Sequence, residues 1–250
     1  MQDKIQAIVL AGGKGTRLAP LTDHCPKSIV PVAGKPMIRY VLEHLKRHGI
    51  TRVSVAIAHL GDMIVSELKD GGSLGMDISY IVESSPMGTG GWSQLVNWND
   101  LDDHFLVLNS DNLFWIDVQA FLKRNCELDA IASIAAIEID ADRHGEYELC
   151  LHDKTRSRLV NYVDRSECKP YLAVNQKVFV SSGWYVMTPA IRPLILKKFP
   201  ISNEADIWPA LNANGKTLGF YHAQEPWFDS GTHDRLARVE KFILEHPEFL

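Results

Sequence analysis

Up to Asp111, short apolar runs alternate with stretches of helical periodicity, and that alternation leaves few architectures open. Ile5 to Leu10 is a strand-sized run broken by Ala11-Gly12-Gly13, which reads as a buried strand feeding a loop. From Pro36 to His48 the period changes. Met37, Ile38, Val41, Leu42 and Leu45 share one helical face, Pro36 suits the first turn and Gly49 the stop. Further strands are expected at Val53 to Ala58, Ile78 to Val82 and Phe105 to Asn109, with helices at Gly61 to Lys69 and Thr89 to Trp98. Alternation of this kind builds βαβ units and a largely parallel sheet.

Beyond Asp111 the rhythm is different. Strands are expected at Ile131 to Ile137, Tyr147 to Leu151, Arg158 to Val163 and Val178 to Met187, with fewer helices between them. Helices are expected at Pro189 to Lys198, Glu204 to Asn214 and Thr232 to Leu244. No internal repeat, low-complexity segment or linker interrupts the chain, so residues 1–250 are expected to form a single α/β domain.

The net charge of −5 gives no basic footprint for duplex DNA or anionic lipid, so any polyanion must be gripped locally by a few cations. The apolar runs fall far short of the roughly 20 residues that span a bilayer. The N-terminus shows no charged, apolar and small-residue leader pattern. Cys25, Cys126, Cys150 and Cys168 show neither C-x-x-C spacing nor a zinc register with histidine. Reduced, mostly buried thiols and a cytoplasmic location are the expectation.

The segment Leu10-Ala11-Gly12-Gly13-Lys14-Gly15-Thr16-Arg17-Leu18 carries the chemistry. Three glycines after a strand permit close backbone approach, and consecutive N–H groups can then face an anion. Arg17 adds a fixed cation, and Lys27 follows ten residues on. Two commoner phosphate motifs fail. A P-loop needs Ser or Thr after Gly-Lys, where this chain has Gly15. The dinucleotide fingerprint needs a third glycine where Leu18 stands.

The longer string GGKGTRLAPLTDHCPKSIVPVAGKPMIRYVLEHL resembles the signature of the sugar-phosphate nucleotidyltransferases, the nucleotide-sugar pyrophosphorylases. The resemblance implies a Rossmann-like, mostly parallel mixed sheet flanked by helices. Residues 1–115 would hold the nucleotide and 116–250 would bind the sugar and complete the pocket. It also implies a reaction: a sugar 1-phosphate attacks the α-phosphorus of an NTP, giving NDP-sugar and pyrophosphate. Leu10, Ala11, Gly12, Gly13, Gly15 and Thr16 would then cradle the nucleotide. Arg17 would hold the leaving β- and γ-phosphates, and Lys27 would sit near the α-phosphate and the sugar phosphate.

Later segments keep the same register. Glu83-Ser-Ser-Pro-Met-Gly88-Thr89-Gly90-Gly91 resembles the base-recognition turn. The two acceptors of Glu83 match the guanine N1–H and N2–H₂ donors, which favours GTP. In Leu108-Asn109-Ser110-Asp111 the aspartate is an expected magnesium ligand, with Ser110 where the family usually has glycine. Trp227-Phe228-Asp229-Ser230-Gly231-Thr232 resembles the second magnesium motif. Asp111 and Asp229, with water and phosphate oxygens, would make an ordinary magnesium site. Asn109, Asp164, Arg165, Ser182 and Gly183 are the candidates for the sugar end, and Lys169 in Cys168-Lys169-Pro170 is a rival to Asp164 and Arg165. Here the family's Glu-Lys-Pro segment has Asp164 and Arg165 in place of the acid and base, its Asn-x-Gly strand has serine for asparagine in Val180-Ser181-Ser182-Gly183-Trp184-Tyr185, and its Glu-Lys-Asp segment has Ala205 for lysine in Glu204-Ala205-Asp206. GTP with a mannose- or heptose-type phosphate is the leading expectation. A uridylyltransferase for an amino-sugar phosphate, a cytidylyltransferase for phosphocholine and a non-catalytic nucleotide-sugar sensor remain open.

Overall fold

The computed structural model describes residues 5–143, 147–153, 158–195 and 198–249, apart from the side chains of Arg143, Arg165 and Phe249. Among the described residues nine strands form one sheet: β1 (Gln6–Leu10), β2 (Arg52–Ile57), β3 (Asp77–Val82), β4 (Phe105–Asn109), β5 (Ala132–Asp140), β6 (Leu149–Asp153), β7 (Arg158–Val163), β8 (Lys177–Met187) and β9 (Leu218–Ala223). Their spatial order is β3-β2-β1-β4-β8-β5-β9-β7-β6. The first four strands are mutually parallel. β8 then runs antiparallel between β4 and β5, β9 runs parallel to β5, and β7 pairs antiparallel with both β9 and β6. The fold is thus a mixed α/β sheet covered by helices.

Strand alternation divides the core. In β1, Ala7 and Val9 face one side of the sheet and Ile8 the other, as a period of two requires. The first side is covered by α1 (Met37–Arg47), α2 (Gly61–Leu68), α3 (Val118–Glu127) and, at the chain's end, α5 (His233–Glu245). The second side is filled by Trp92, Ile191, Ile207, Trp208 and Leu211, the last two from α4 (Trp208–Ala213). Met37, Ile38, Val41, Leu42 and Leu45, the residues on the predicted helical face, are all buried.

The expected strands up to Asn109 recur within a residue or two. Several helices differ. The predicted helix from Thr89 to Trp98 shrinks to one turn at Trp92–Leu95 and a 3-10 turn at Trp98–Asp100. Gly88 to Gly91 is held instead as a loop, with the Gly90 N–H on the Ile201 carbonyl at 2.9 Å. Pro189–Leu194 is a 3-10 stretch containing Pro193, and residues 196 and 197 of the expected helix lie outside the described residues. The Glu204 helix is a π-turn, Asn203–Ile207, running into α4. α3 and β9 fall outside the expected elements. α3 carries a readable start, because the Asp117 side chain accepts the Ala120 N–H at 2.9 Å.

Among the described residues no helix is long and apolar enough to cross a membrane. The four thiols are free. Cys150 and Cys168 are buried, Cys25 is half-buried and Cys126 is exposed.

Candidate active site

The four parallel strands present their carboxyl ends to a cavity of about 660 Å³. Each strand end contributes: Leu10 and then Gly12 to Lys14 at β1, Ala56 and then Ala58 and His59 at β2, Glu83 to Thr89 after β3, and Asn109 to Asp111 at β4, while Ala11 is buried and lines neither this cavity nor its neighbour. Strand order reverses between β1 and β4, and crevices at such a switch point are where open α/β sheets bind ligands. The glycine loop forms one wall. Gly12 is pressed against Ala58, where a Cβ would stand 3.2 Å from the Ala58 side chain, whereas Gly13 opens into space. Gly15 has a φ of +65°, and a Cβ there would meet the Lys27 side chain at 2.9 Å. The turn is pinned by Thr22 Oγ1 donating to the Gly15 carbonyl at 2.9 Å, and Ala11 N–H bonds the Ala56 carbonyl at 2.8 Å. Thr16 and Arg17 continue as a 3-10 turn.

A second cavity of about 760 Å³ opens on the other side of Asp111. Thr89, Asn109 and Asp111 line both, so the two meet there. Lys27 reaches the meeting point from below and donates its ammonium to Asp111 Oδ2. Lys27 is buried, at 7% exposed, while the Asp111 side chain stays half-buried at the cavity wall. Removing one member of such a pair leaves the other charge uncompensated. Ser110 and Ser28 both line the glycine-loop cavity, their Oγ atoms hydrogen-bonded at 2.8 Å.

Asp229 arrives on a two-stranded ribbon, Trp227–Asp229 against Asn112–Phe114, in which it faces Asn112. Ser230 N–H and Oγ both donate to the Asp111 carbonyl, at 3.2 and 2.7 Å. The two expected metal-binding aspartates therefore sit on adjacent backbones and line one cavity. Asp229 Oδ1 accepts the Gly231 N–H at 2.6 Å and Oδ2 accepts from Arg235 Nη1 at 2.6 Å. Tyr147 also bonds Asp229, and its phenol is pushed up to about 12 by burial first and by the Asp229 charge second. Paired carboxylates with room for phosphate oxygens suit magnesium, which is usually held by one or two carboxylates plus substrate. Among the described residues no group of three or more His, Cys, Asp and Glu side chains could hold a metal by itself.

The remaining expected residues divide between the cavities. Glu83 lines the glycine-loop cavity and accepts the Met87 N–H at 3.2 Å, while burial raises its carboxyl above the ordinary value. Gly88 is required by packing, because a Cβ there would run into the Ile201 carbonyl. Thr89 Oγ1 donates to Glu204 Oε2 at 2.7 Å. Arg17 lines the second cavity beside the Asp229 turn, with Nη2 2.8 Å from where a Cβ on Gly231 would stand. Asp164 lines the second cavity and accepts the Ser166 N–H at 2.9 Å. The Arg165 side chain lies outside the described residues, and Lys169 is exposed and away from the cavity wall.

Ser182 is corrected by the structure. Its hydroxyl is fully buried and donates to the Ala135 carbonyl at 2.8 Å, so it points away from the cavity. Its neighbours Ser181, Gly183 and Tyr185 line the wall instead. Gly183 has a φ of +76°, and a Cβ on it would collide with the Asn112 amide and stand 2.6 Å from that of Asn109.

Other lining residues lie in the altered Asn-x-Gly and Glu-Lys-Asp segments or outside any motif. Tyr185 donates to Glu204 Oε1 at 2.8 Å, and Ser202 Oγ donates to Oε2 at 2.8 Å. Glu204 thereby ties the Thr89 loop of one half to β8 of the other. A step of two along β8 would have flagged Ser181, Gly183 and Tyr185 together. Tyr147, Tyr162 and Arg235 also line this cavity.

Comparison with known proteins agrees with this arrangement. A family model described as nucleotidyl transferase matches residues 6–246. The chain is 30% identical over 237 residues to a mannose-1-phosphate guanylyltransferase from Mycobacterium tuberculosis, a match covering 94% of this chain and 63% of that protein. It is 27% identical over 238 residues to a UTP–glucose-1-phosphate uridylyltransferase from Synechocystis, covering 91% of this chain and 60% of that protein. The chain thus spans about three fifths of the length of these two relatives. In fold it is similar to HddC from Yersinia pseudotuberculosis, solved in complex with GMP-PN, with a TM-score of 0.78, 23% identity, and coverage of 95% of this chain and 99% of that one. With the match running through the glycine loop, the whole sheet and both cavities, this chain belongs to the nucleotidyl transferase family.

Proposed function

We propose that this protein transfers a nucleotidyl group from an NTP to a sugar 1-phosphate, releasing pyrophosphate, and that magnesium is required. The observation that carries this reading is the junction at Asp111, where Lys27 and both aspartate motifs meet between two separate cavities. The glycine-loop cavity suits the nucleotide, and the second cavity suits the acceptor. GTP with a mannose- or heptose-type phosphate is the favoured pair. Support comes from the carboxylate of Glu83 facing the glycine-loop cavity, since guanine offers two adjacent donors. The relative from Mycobacterium tuberculosis is named for the same chemistry.

The reaction joins two anions by in-line displacement, so alignment and charge screening supply most of the acceleration. The glycine-loop N–H groups hold the triphosphate. Lys27 stands where charge accumulates on the α-phosphate, and its buried position strengthens each contact it makes. The acceptor phosphate is already ionised at neutral pH, so no side chain has to remove a proton. Asp111 and Asp229 would hold magnesium, which would neutralise phosphate charge when bound. Asn109 and Thr89, which line both cavities, would keep the two reactants in register.

The test is pyrophosphate release across a panel of four NTPs and several sugar 1-phosphates, with and without magnesium. The reading expects release with GTP and mannose 1-phosphate or a close relative, abolished by chelation. Nucleotide binding without release, for every pair, would instead mark a non-catalytic sensor.

A further inference from the structure

Arg235 belongs to none of the motifs in the sequence, yet it is built into the wall of the acceptor cavity. It lies in the first turn of α5, three residues after Thr232, whose side chain caps that helix. Its guanidinium donates to Asp229 Oδ2 at 2.6 Å and lies over the Tyr147 ring, 4.7 Å from the centroid. Its side chain is 20% exposed, so contact with solvent is restricted while contact with the cavity is kept.

The charge balance of this cavity gives the arrangement a consequence. A phosphate monoester carries close to two negative charges at neutral pH. It must enter beside the acidic residues Asp111, Glu148, Asp164, Glu167, Glu204 and Asp229. Among the described residues lining this cavity, the basic side chains are Arg17 and Arg235. The sequence resemblance assigns Arg17, although it lines this same cavity, to the leaving pyrophosphate.

We propose that Arg235 binds the phosphate of the acceptor, sharing its guanidinium between that phosphate and Asp229. This inference rests on the nucleotidyl-transfer reading. Arginine suits the task because its planar fork presents five donors and matches phosphate oxygens in pairs while stacked on a ring. The Asp229 contact uses one face of that fork. When the guanidinium turns to a phosphate, Asp229 keeps the Gly231 N–H and so stays in place. Arg235 is thus compensated by Asp229 when the cavity is empty and offers its remaining donors when the anion arrives.

The experiment compares the wild type with Arg235→Lys and Arg235→Met. Initial rates give separate KM values for NTP and for mannose 1-phosphate, or whichever sugar 1-phosphate the wild type turns over. Calorimetry compares that sugar 1-phosphate with the same sugar lacking phosphate. Arg235→Met is expected to raise the acceptor KM by about 30-fold, the size of a lost charge-assisted hydrogen bond, and to leave the NTP KM within about twofold. Arg235→Lys, which keeps a charge to face Asp229, is expected to recover part of that loss. Binding of the unphosphorylated sugar is expected to be the same in all three proteins. An unchanged acceptor KM in both variants, with only kcat reduced, would assign Arg235 to holding Asp229 and overturn the proposal. Should the methionine variant fail to fold, a lysine variant with wild-type acceptor KM overturns it equally. No pyrophosphate from the wild type with any pair would overturn the underlying reaction, and the proposal with it.

Discussion

The two cavities are built by different means. The glycine-loop cavity is lined by the segments that leave the carboxyl ends of four parallel strands, joined by Lys27 and Ser28. Much of its wall is backbone and small side chains: Gly12, Gly13, Ala56, Ala58. The acceptor cavity is assembled from residues as distant as Arg17, Tyr147, Tyr185, Glu204 and Arg235, and its wall is side chains that hydrogen-bond one another. A backbone cradle serves the part of a substrate shared by every nucleotide. A side-chain wall can be rewritten, which fits the departures from family pattern at the lining residues Asp164, Ser181 and Ala205.

The largest effect is expected where the cavities meet. Lys27→Ala should lower turnover by roughly 10²-fold or more, as removal of one preorganised donor does. Asp111→Asn should lose activity together with its magnesium dependence. Steady-state rates at saturating substrates, with a metal titration, check both, and a Lys27→Ala enzyme with normal kcat would remove the junction from the chemistry.

A second prediction concerns the support beneath the acceptor wall. His44 is 5% exposed, bonds the Ile116 carbonyl at 2.9 Å and meets the edge of Trp184, the neighbour of Gly183. Burial, reinforced by His48, lowers it from 6.5 to about 4. The folded state thus resists a proton that the unfolded chain accepts. Stability from this group is fully present above pH 6.5 and is lost as pH falls toward 4, by at most about 3 kcal/mol. Melting temperatures between pH 7 and pH 4.5 should fall more steeply for the wild type than for His44→Gln.

Gly183→Ala should cost on the order of 2 kcal/mol or more, since it forces a side chain into a left-handed backbone and against the Asn112 amide. The damage should appear in the acceptor KM before the NTP KM. Denaturant unfolding and the two KM values decide it. If both rise together, the cavities are less separate than their walls suggest.

The smallest expected change is in base choice. Glu83→Gln should shift the GTP to UTP preference by about tenfold, the worth of one exchanged hydrogen bond. Because burial raises the Glu83 carboxyl above its ordinary 4.5, the wild-type KM for GTP should begin to rise on acidification above that pH. Protonation removes an acceptor, so the sign is a loss as pH falls, and Glu83→Gln should abolish it.

The glycine-loop side was legible because its signals are local. A strand, a glycine turn and a following helix are each specified by neighbouring residues, and Gly12, Gly13, Glu83 and Asp111 are found at the strand ends where periodicity put them. The helix expected at Thr89 to Trp98 fails for a tertiary reason, since Gly88 and Gly90 are held by the backbone at Ile201. Ser181, which stands where the Asn-x-Gly pattern has its asparagine, lines the cavity and the expected Ser182 does not, because the face each takes in a bulged strand is set by tertiary pairing.

By itself, then, the sequence determined the parallel first half of the sheet, the loop that can face a phosphate, and two aspartate motifs far apart in the chain. Only the tertiary structure decided that Asp229 lies in the strand beside Asn112, that Lys27 reaches Asp111, and that Tyr147, Glu204 and Arg235 close the acceptor wall. The physical reason is range. Turns and strand rhythm follow from contacts a few residues apart. Charge pairing and cavity shape arise where segments a hundred or more residues apart pack together, and no local pattern encodes that meeting.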